Sequence, residues 1–282
     1  MIAARGILIF LATLLAGCVQ HAAPRADCGV GIVKPRAILE ARVLLLGEVH
    51  GTVEAPKFAG DLVCQLASSG KAVVLGVEHE SDLQPVYDRI FAGEAEAATL
   101  IAKQISWSGK ITDGRFTRAM FDLILRVRDL RASGLAVQLR AIDASSRETG
   151  LALSEGRHQT VRDERMAANA DEIVRALPAG GVLVVIAGNI HTMRVKEPFG
   201  SARRFAPPMG FLLQSPNVLS LELRHLGGTA SVYGAPVGGR PFGPLGNGGP
   251  IWSIELFADP NAVGVHGAYH VGKISASSHV SN

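Results

Sequence analysis

The chain has 282 residues, 48% hydrophobic and 19% charged, and its 28 Lys and Arg against 25 Asp and Glu leave a formal net charge of +3. That apolar content supports a sizeable core and excludes a disordered protein, while the lack of a dense basic run removes the electrostatic argument for a nucleic-acid partner. Thirty-two glycines beside 5% aromatics favour tight turns and small side chains over a sandwich built on large rings, and the 3 cysteines cannot all pair with one another.

Arg5 precedes the apolar run from Gly6 to Ala16 (GILIFLATLLA), which has the flanking charge and length of a signal-peptide core and is too short to span a bilayer. Leu15-Ala16-Gly17-Cys18 resembles a bacterial lipobox, in which the cysteine is acylated and becomes the first residue of the mature chain. The expectation is a signal peptide over residues 1–17, then lipidated Cys18 and a tether to residue 39. Acyl chains, at about 0.8 kcal/mol per buried CH₂, would hold such a protein on a membrane without a transmembrane helix. Val19 is not the aspartate that retains lipoproteins at an inner membrane, so an outer-membrane lipoprotein is expected, on its periplasmic face or surface. In an oxidising periplasm Cys28 and Cys64 either close a disulfide or stay as two buried thiols.

From residue 42 short apolar runs alternate with longer periodic stretches. Arg42 to Gly47 (RVLLLG) reads as a strand buried on both faces of a parallel sheet. A helix follows from Pro56, with Phe58, Ala59, Leu62, Val63 and Leu66 at helical spacing and Gly70 as its stop. Ala72 to Val77 is a second strand, Leu83 to Lys103 a helix broken at Gly93, Asp113 to Ser133 a longer helix stopped by Gly134, and Ala136 to Ile142 a third strand. His158 to Leu177 is helical up to Pro178, and Val182 to Ala187 is a fourth strand. Such alternation implies right-handed crossovers, hence an α/β fold with an open, mostly parallel sheet and helices on both faces. Residues 40–195 form the expected core of a single domain, and 196–282 an extension. Within the extension, 227–249 is dense in Gly and Pro and reads as a loop or short hairpins. Short strands are expected at Val218 to Leu223, Ile251 to Leu256 and Gly264 to Val271.

Ligand sites in open parallel sheets lie beyond the carboxyl ends of the strands. Those ends read Gly47-Glu48-Val49-His50-Gly51, Glu78-His79-Glu80, Asp143, and Gly188-Asn189-Ile190-His191. Each apolar run therefore ends in a carboxylate or a histidine. Glu48, His50, Glu78 and His191 are the candidate catalytic residues. Imidazole and carboxylate can ligate zinc, manganese or iron, or can activate water without metal, so the same four residues are the candidate ligands if a divalent metal is bound. Gly47, Asn189, Arg162 and Asp143 are candidates for ligand binding, although Asp143 suits a helix N-cap equally well. His79 and Glu80 are expected behind the site or in solvent. Arg162, Asp163 and Glu164 suit the start of a helix, and Asn169 an exposed helical face. No H-E-x-x-H, G-x-S-x-G or G-x-G-x-x-G is present, which argues against zincins, the usual serine hydrolases and dinucleotide enzymes.

Leu46-Gly47-Glu48-Val49-His50, Gly76-Val77-Glu78, Arg162-Asp163-Glu164-Arg165-Met166-Ala167 and Ala187-Gly188-Asn189-Ile190-His191 together resemble the ChaN-like family, over roughly residues 40–195. The wider group includes erythromycin-esterase-like and TIKI/TraB-like proteins. The resemblance implies a lipoprotein associated with haem binding and iron uptake. For the esterase-like members it implies hydrolysis by paired Glu and His, and for TIKI-like members metal-dependent proteolysis. This chain has Glu-x-His, where the esterase-like pattern has Glu-x-x-His. Haem ligation of the ChaN type implies a tyrosine, and Tyr87, Tyr233 and Tyr269 are the ones present. The first expectation is thus a lipid-anchored protein binding a small-molecule ligand, with haem or a divalent metal as cofactor or cargo. The second is an ester or amide hydrolase, and the third a structural envelope lipoprotein.

Overall fold

The structure is a computed structural model that describes residues 27–94, 97–108, 113–197, 206–235, 238–260 and 264–280. The expected signal peptide and Cys18 lie outside the described residues. Among the described residues nine strands are formed: β1 (Val43–Glu48), β2 (Val73–Glu80), β3 (Val137–Asp143), β4 (Val182–Gly188), β5 (Val218–Arg224), β6 (Gly228–Ala230), β7 (Arg240–Phe242), β8 (Ser253–Leu256) and β9 (Gly267–His270). Seven of them build one sheet in the order β3-β2-β4-β1-β5-β9-β8, in which only the β8–β9 pair is antiparallel. Strands β6 and β7 form a separate antiparallel pair inside the Gly- and Pro-rich stretch. Residues after 196 therefore continue the main sheet through β5, β9 and β8.

The helices are α1 (Arg36–Glu40), α2 (Glu54–Ser68), α3 (Gln84–Phe91), α4 (Ala97–Ala102), α5 (Arg118–Ala132), α6 (Ser146–Ser154), α7 (His158–Ala176) and α8 (Met209–Leu212). Among the described residues, none is long and apolar enough to cross a membrane. Period-2 alternation within the buried strands feeds two cores. Leu44, Leu46, Val73, Leu75, Val182, Val184 and Ile186 pack with Phe58, Leu62, Phe121 and Ile124 of α2 and α5. On the opposite face Val43, Leu45, Val74, Leu183 and Val185 pack with Met166, Ala170 and Val174 of α7 and Met209 of α8. Each such aliphatic side chain contributes about 1.5–3 kcal/mol when fully withdrawn from water. Two-sided burial explains why these strands read as continuous apolar runs.

Several boundaries differ from the sequence pattern for local reasons. The expected helix from Asp113 begins at Arg118, because Asp113 accepts from both the backbone and the side chain of Arg115 and Gly114 has φ +90. Helix α6 escaped the periodicity and is announced by a capping box between Ser145 and Glu148. Ser145 holds that cap, so Asp143 is not an N-cap. The stretch from Leu83 separates into α3 and α4, with Gly93 at φ +80 just after α3.

The amino-terminal segment is tied to the sheet edge. Val33 forms a parallel bridge to Ser253 and so covers β8. Cys28 is disulfide-bonded to Cys64 of α2, with Cα atoms 5.3 Å apart. One turn earlier in α2, buried Asp61 accepts from Trp252 Nε1 at 2.7 Å and pairs with Lys57 and Arg126.

Candidate active site

Parallel register places the carboxyl ends of the strands side by side. Glu48 of β1 is level with Gly188 of β4, and Glu80 of β2 with Asp143 of β3 after a register shift between Val77 and Glu80. Glu78 stands at the centre. Its Oε2 accepts from the Gly188 backbone N–H at 2.6 Å and faces His50 Nε2 at 3.5 Å. Its Oε1 accepts from Arg162 Nη2 at 2.5 Å and faces His191 Nε2 at 3.6 Å. Each histidine then turns its Nδ1 to a second carboxylate: His50 to Glu48 at 2.9 Å and His191 to Asp163 at 2.7 Å. The result is an alternating chain, Glu48–His50–Glu78–His191–Asp163.

Two arginines brace it from below. Arg162 reaches Asp143 Oδ2 through Nε at 2.8 Å, so one guanidinium joins the ends of β2 and β3 to α7. Arg115 donates to Asp143 Oδ2 at 3.2 Å and to the Glu78 carbonyl at 3.3 Å. Glu48, Glu78, Asp143, Arg162, Asp163 and His191 are all buried. The His50 side chain is 20% exposed, which makes it the member of the chain that reaches the surface.

The charges set the protonation states. Burial opposes a positive His50, but the Glu78 and Glu48 carboxylates overcome it and raise its pKa to about 10. His191 is raised likewise, against burial, by Glu78 and Asp163. Burial pushes Glu78 upward, yet His191, His50 and Arg162 hold it well below the usual carboxylate range. Glu48 goes the other way, raised by burial more than His50 lowers it, and its Oε2 has no hydrogen-bond partner. The site thus holds a charged imidazole beside a carboxylate of enhanced basicity.

Small residues make room for this packing. A Cβ on Gly188 would fall 2.9 Å from His50 Nε2, and one on Gly51, at φ +73, would fall 2.2 Å from the Ser231 carbonyl. Gly47 is buried; its carbonyl accepts from Tyr269 Oη at 2.9 Å, and a Cβ there would meet Thr192. Its surroundings are protein rather than an open cleft. Asn189 is exposed, and its backbone N–H donates to the Glu48 carbonyl at 3.0 Å.

Of the remaining residues, His79 lies behind the site, one of the two placements the sequence allowed, and Asn169 and Asp163 sit elsewhere than the sequence suggested. His79 is fully buried: Tyr87 Oη donates to its Nδ1 at 2.6 Å and its Nε2–H donates to the Arg115 carbonyl at 3.0 Å. Burial drops its pKa to about 3, so this imidazole is neutral, stacked on Phe116. It supports Arg115 and does not touch the cleft. Asn169 does not face solvent but donates to the Ile142 carbonyl at 2.8 Å, closing β3 onto α7. Asp163 does more than favour a helix start, since Oδ1 also accepts from Met209 N–H and joins α8 to His191. Sequence reasoning missed Asp163 and Arg115. The only local signal for Asp163 was its place next to Arg162.

The same geometry tests the cofactor expectations. A metal ligand must be a neutral imidazole offering a lone pair, whereas all four ring nitrogens of His50 and His191 face carboxylates. Among the described residues, no group of three or more His, Cys, Asp or Glu is arranged to hold a metal ion. In this arrangement Glu48, His50, Glu78 and His191 form ion pairs with one another. Of the tyrosines, Tyr87 and Tyr269 are buried with their hydroxyls engaged, and Tyr233 is 78% exposed.

Scans of family models and of curated protein sequences give no match. Among solved structures, an erythromycin esterase variant in its open conformation aligns at TM-score 0.51 and 14% identity, over 86% of this chain and 78% of that one. The chain shares its fold with that protein. A Bacillus cereus protein aligns at TM-score 0.52 and 12% identity, over 86% and 91% of the two chains. ChaN of Campylobacter jejuni, in a structure with cofacial haem, aligns at TM-score 0.43 and 15% identity, over 66% of this chain and 82% of that one. The erythromycin esterase is one of the proteins named with the four motifs, and the likeness to it is one of fold.

Proposed function

We propose that the protein is a lipid-anchored envelope hydrolase that cleaves an ester or amide by acid–base catalysis on water. The observation that carries this reading is the buried chain Glu48–His50–Glu78–His191–Asp163 with its single accessible member, His50. Glu48, made more basic by burial and with Oε2 free, takes a proton from water as the oxygen adds to the carbonyl carbon. His50, kept protonated by its two carboxylates, gives its proton to the leaving oxygen or nitrogen as that bond breaks. Glu48 then returns a proton to His50 across their 2.9 Å hydrogen bond, and one water has been consumed. Glu78, held ionised, keeps His50 charged between turnovers, while His191, Asp163 and Arg162 position Glu78. The lipobox supports attachment at the outer membrane through acylated Cys18.

A panel of p-nitrophenyl esters and p-nitroanilides tests the reading. Turnover is expected, and Glu48→Gln and His50→Gln should each lower kcat by about 10²-fold or more with the far-UV circular dichroism unchanged. Turnover no higher than in those variants overturns it.

A haem or iron carrier is the second reading, favoured by Tyr233. This exposed tyrosine sits two residues beyond Ser231, whose N–H donates to the Gly51 carbonyl beside His50 at 3.1 Å. Titration with haemin should then shift the Soret band, and Tyr233→Phe should abolish the shift. No shift at micromolar protein removes this reading.

A further inference from the structure

The Gly- and Pro-rich stretch has no part in the catalytic cluster, yet it borders an unusual surface. Val33 is 71% exposed, Ile251 61%, Leu226 46% and Leu245 38%, all large aliphatic side chains. They adjoin one another. Val33 N–H donates to the carbonyl of Trp252, the residue after Ile251. A Cβ on Gly272 would fall 3.1 Å from Ile251 Cδ1, and the Gly272 carbonyl accepts from Leu226 N–H at 2.8 Å. Leu226 in turn lies over Gly248, and Leu245 bridges to His225. Glycines at 248 and 272 leave the aliphatic groups standing proud of the backbone, where burial would ordinarily withdraw them. Exposed Lys273 follows Gly272 directly in the chain, whereas the Lys34 ammonium turns inward and donates to Gln65 Oε1 at 2.8 Å. Glu255 nearby is engaged by His270 at 3.1 Å.

The patch lies at the same end of the sheet as the catalytic chain. Ser253 is level with His270, His270 with Arg224, and Glu222, two residues before Arg224, with Gly47. Apolar side chains beside the exposed Lys273 match the acyl boundary and anionic headgroups of a bilayer. Eight residues lie between Cys18 and Asp27, so an extended tether reaches at most about 30 Å. That distance brings the domain to the membrane but leaves its orientation free. We infer that Val33, Leu226, Leu245 and Ile251 form a membrane-docking face that seats the domain on the bilayer with its catalytic end toward the lipid surface. The inference rests on the envelope-anchored reading above, and it adds that the substrate is met at the lipid surface.

Depth-resolved quenching tests it. The acylated full-length protein, as Ile251→Trp, is placed in phosphatidylethanolamine–phosphatidylglycerol vesicles carrying brominated acyl chains, with the parent's tryptophan signal subtracted. Val33→Trp is a second reporter, and Leu39→Trp on α1, 39% exposed in the parent and just before β1 at the opposite end of the sheet, is the control. Quenching of both reporters at least twofold greater than that of the control is expected. Equal quenching at the three positions, or none at the reporters while the protein stays in the membrane fraction, overturns the docking face and leaves the anchor standing. Acylation is read separately from the mass of the amino-terminal peptide. If Cys18 carries no lipid, the anchor fails, and the same reporters with vesicles added still decide the face. Circular dichroism confirms that each variant is folded.

Discussion

Gly188→Ala adds one methyl group at the end of β4, where the backbone can accept it, because Gly188 is not among the residues with positive φ. The new Cβ would lie 2.9 Å from His50 Nε2 and 3.5 Å from Glu78 Oε2. To reach ordinary contact, the imidazole must retreat by about 0.5 Å, which is also the tolerance to which a catalytic group has to be held. A misplacement of about 1 Å costs about 10²-fold in rate, so kcat/KM should fall about 10- to 100-fold. Stability should fall little, since the atoms met are the ends of side chains. Overpacking of this kind costs about 1–2 kcal/mol, or about 2–4 °C in Tm for a chain of this size. The assay is kcat/KM on the best ester of the panel beside a thermal melt of the same preparation. Unchanged kcat/KM in a folded variant would refute the placement of His50 at the reacting centre. A loss that merely tracks the unfolded fraction would assign Gly188 to packing alone.

Three further outcomes follow from the same geometry. Arg162→Met leaves Glu78 and Asp143 without the guanidinium that joins them, and breaking a buried pair in this way should cost about 3–5 kcal/mol in urea denaturation; a loss below about 1 kcal/mol would show that Arg115 alone suffices. Because the folded His50 pKa is raised to about 10 from the ordinary histidine value of 6.5, its contribution to stability is fully present below that ordinary value and is lost as pH rises through the folded pKa. Denaturation from pH 6 to 10 should therefore show a steeper decline in the parent than in His50→Gln, and parallel curves would contradict the pairing. Reduction of Cys28–Cys64, which closes a separation of 36 residues, should remove about 4 kcal/mol on the chain-entropy treatment; an unchanged denaturation midpoint with and without reductant would show that the segment before α1 is held by its other contacts.

Much of the architecture could be read locally. The runs VLLL and VLVV are strands because both faces of a central parallel strand are buried, and the helical spacing of Phe58, Leu62 and Leu66 marks the face of α2 that meets them. With the strands assigned, a general rule about their carboxyl ends was enough to collect Glu48, His50, Glu78, Asp143 and His191 without an alignment. Short elements were not legible in this way. Helix α6 is set by its cap rather than by a hydrophobic stripe, and Asp113 was drawn into α5 because a side chain that closes a turn and one that starts a helix look alike in sequence.

Local pattern determined which residues lie at the catalytic end of the sheet and that they are acids and bases. Tertiary structure alone decided which acid meets which base. Glu78 meets the Gly188 amide across 110 residues, Arg162 across 84, and His191 meets Asp163 across 28. Those contacts, set by strand order and by the packing of α7 against the sheet, make His50 an accessible imidazolium and leave Glu48 with an unpaired oxygen. They also turn His79, adjacent to Glu78 in sequence, away into an aromatic core as a neutral ring. Protonation depends on burial and on charges brought together from distant parts of the chain, so nothing in the order of neighbouring residues could have determined it.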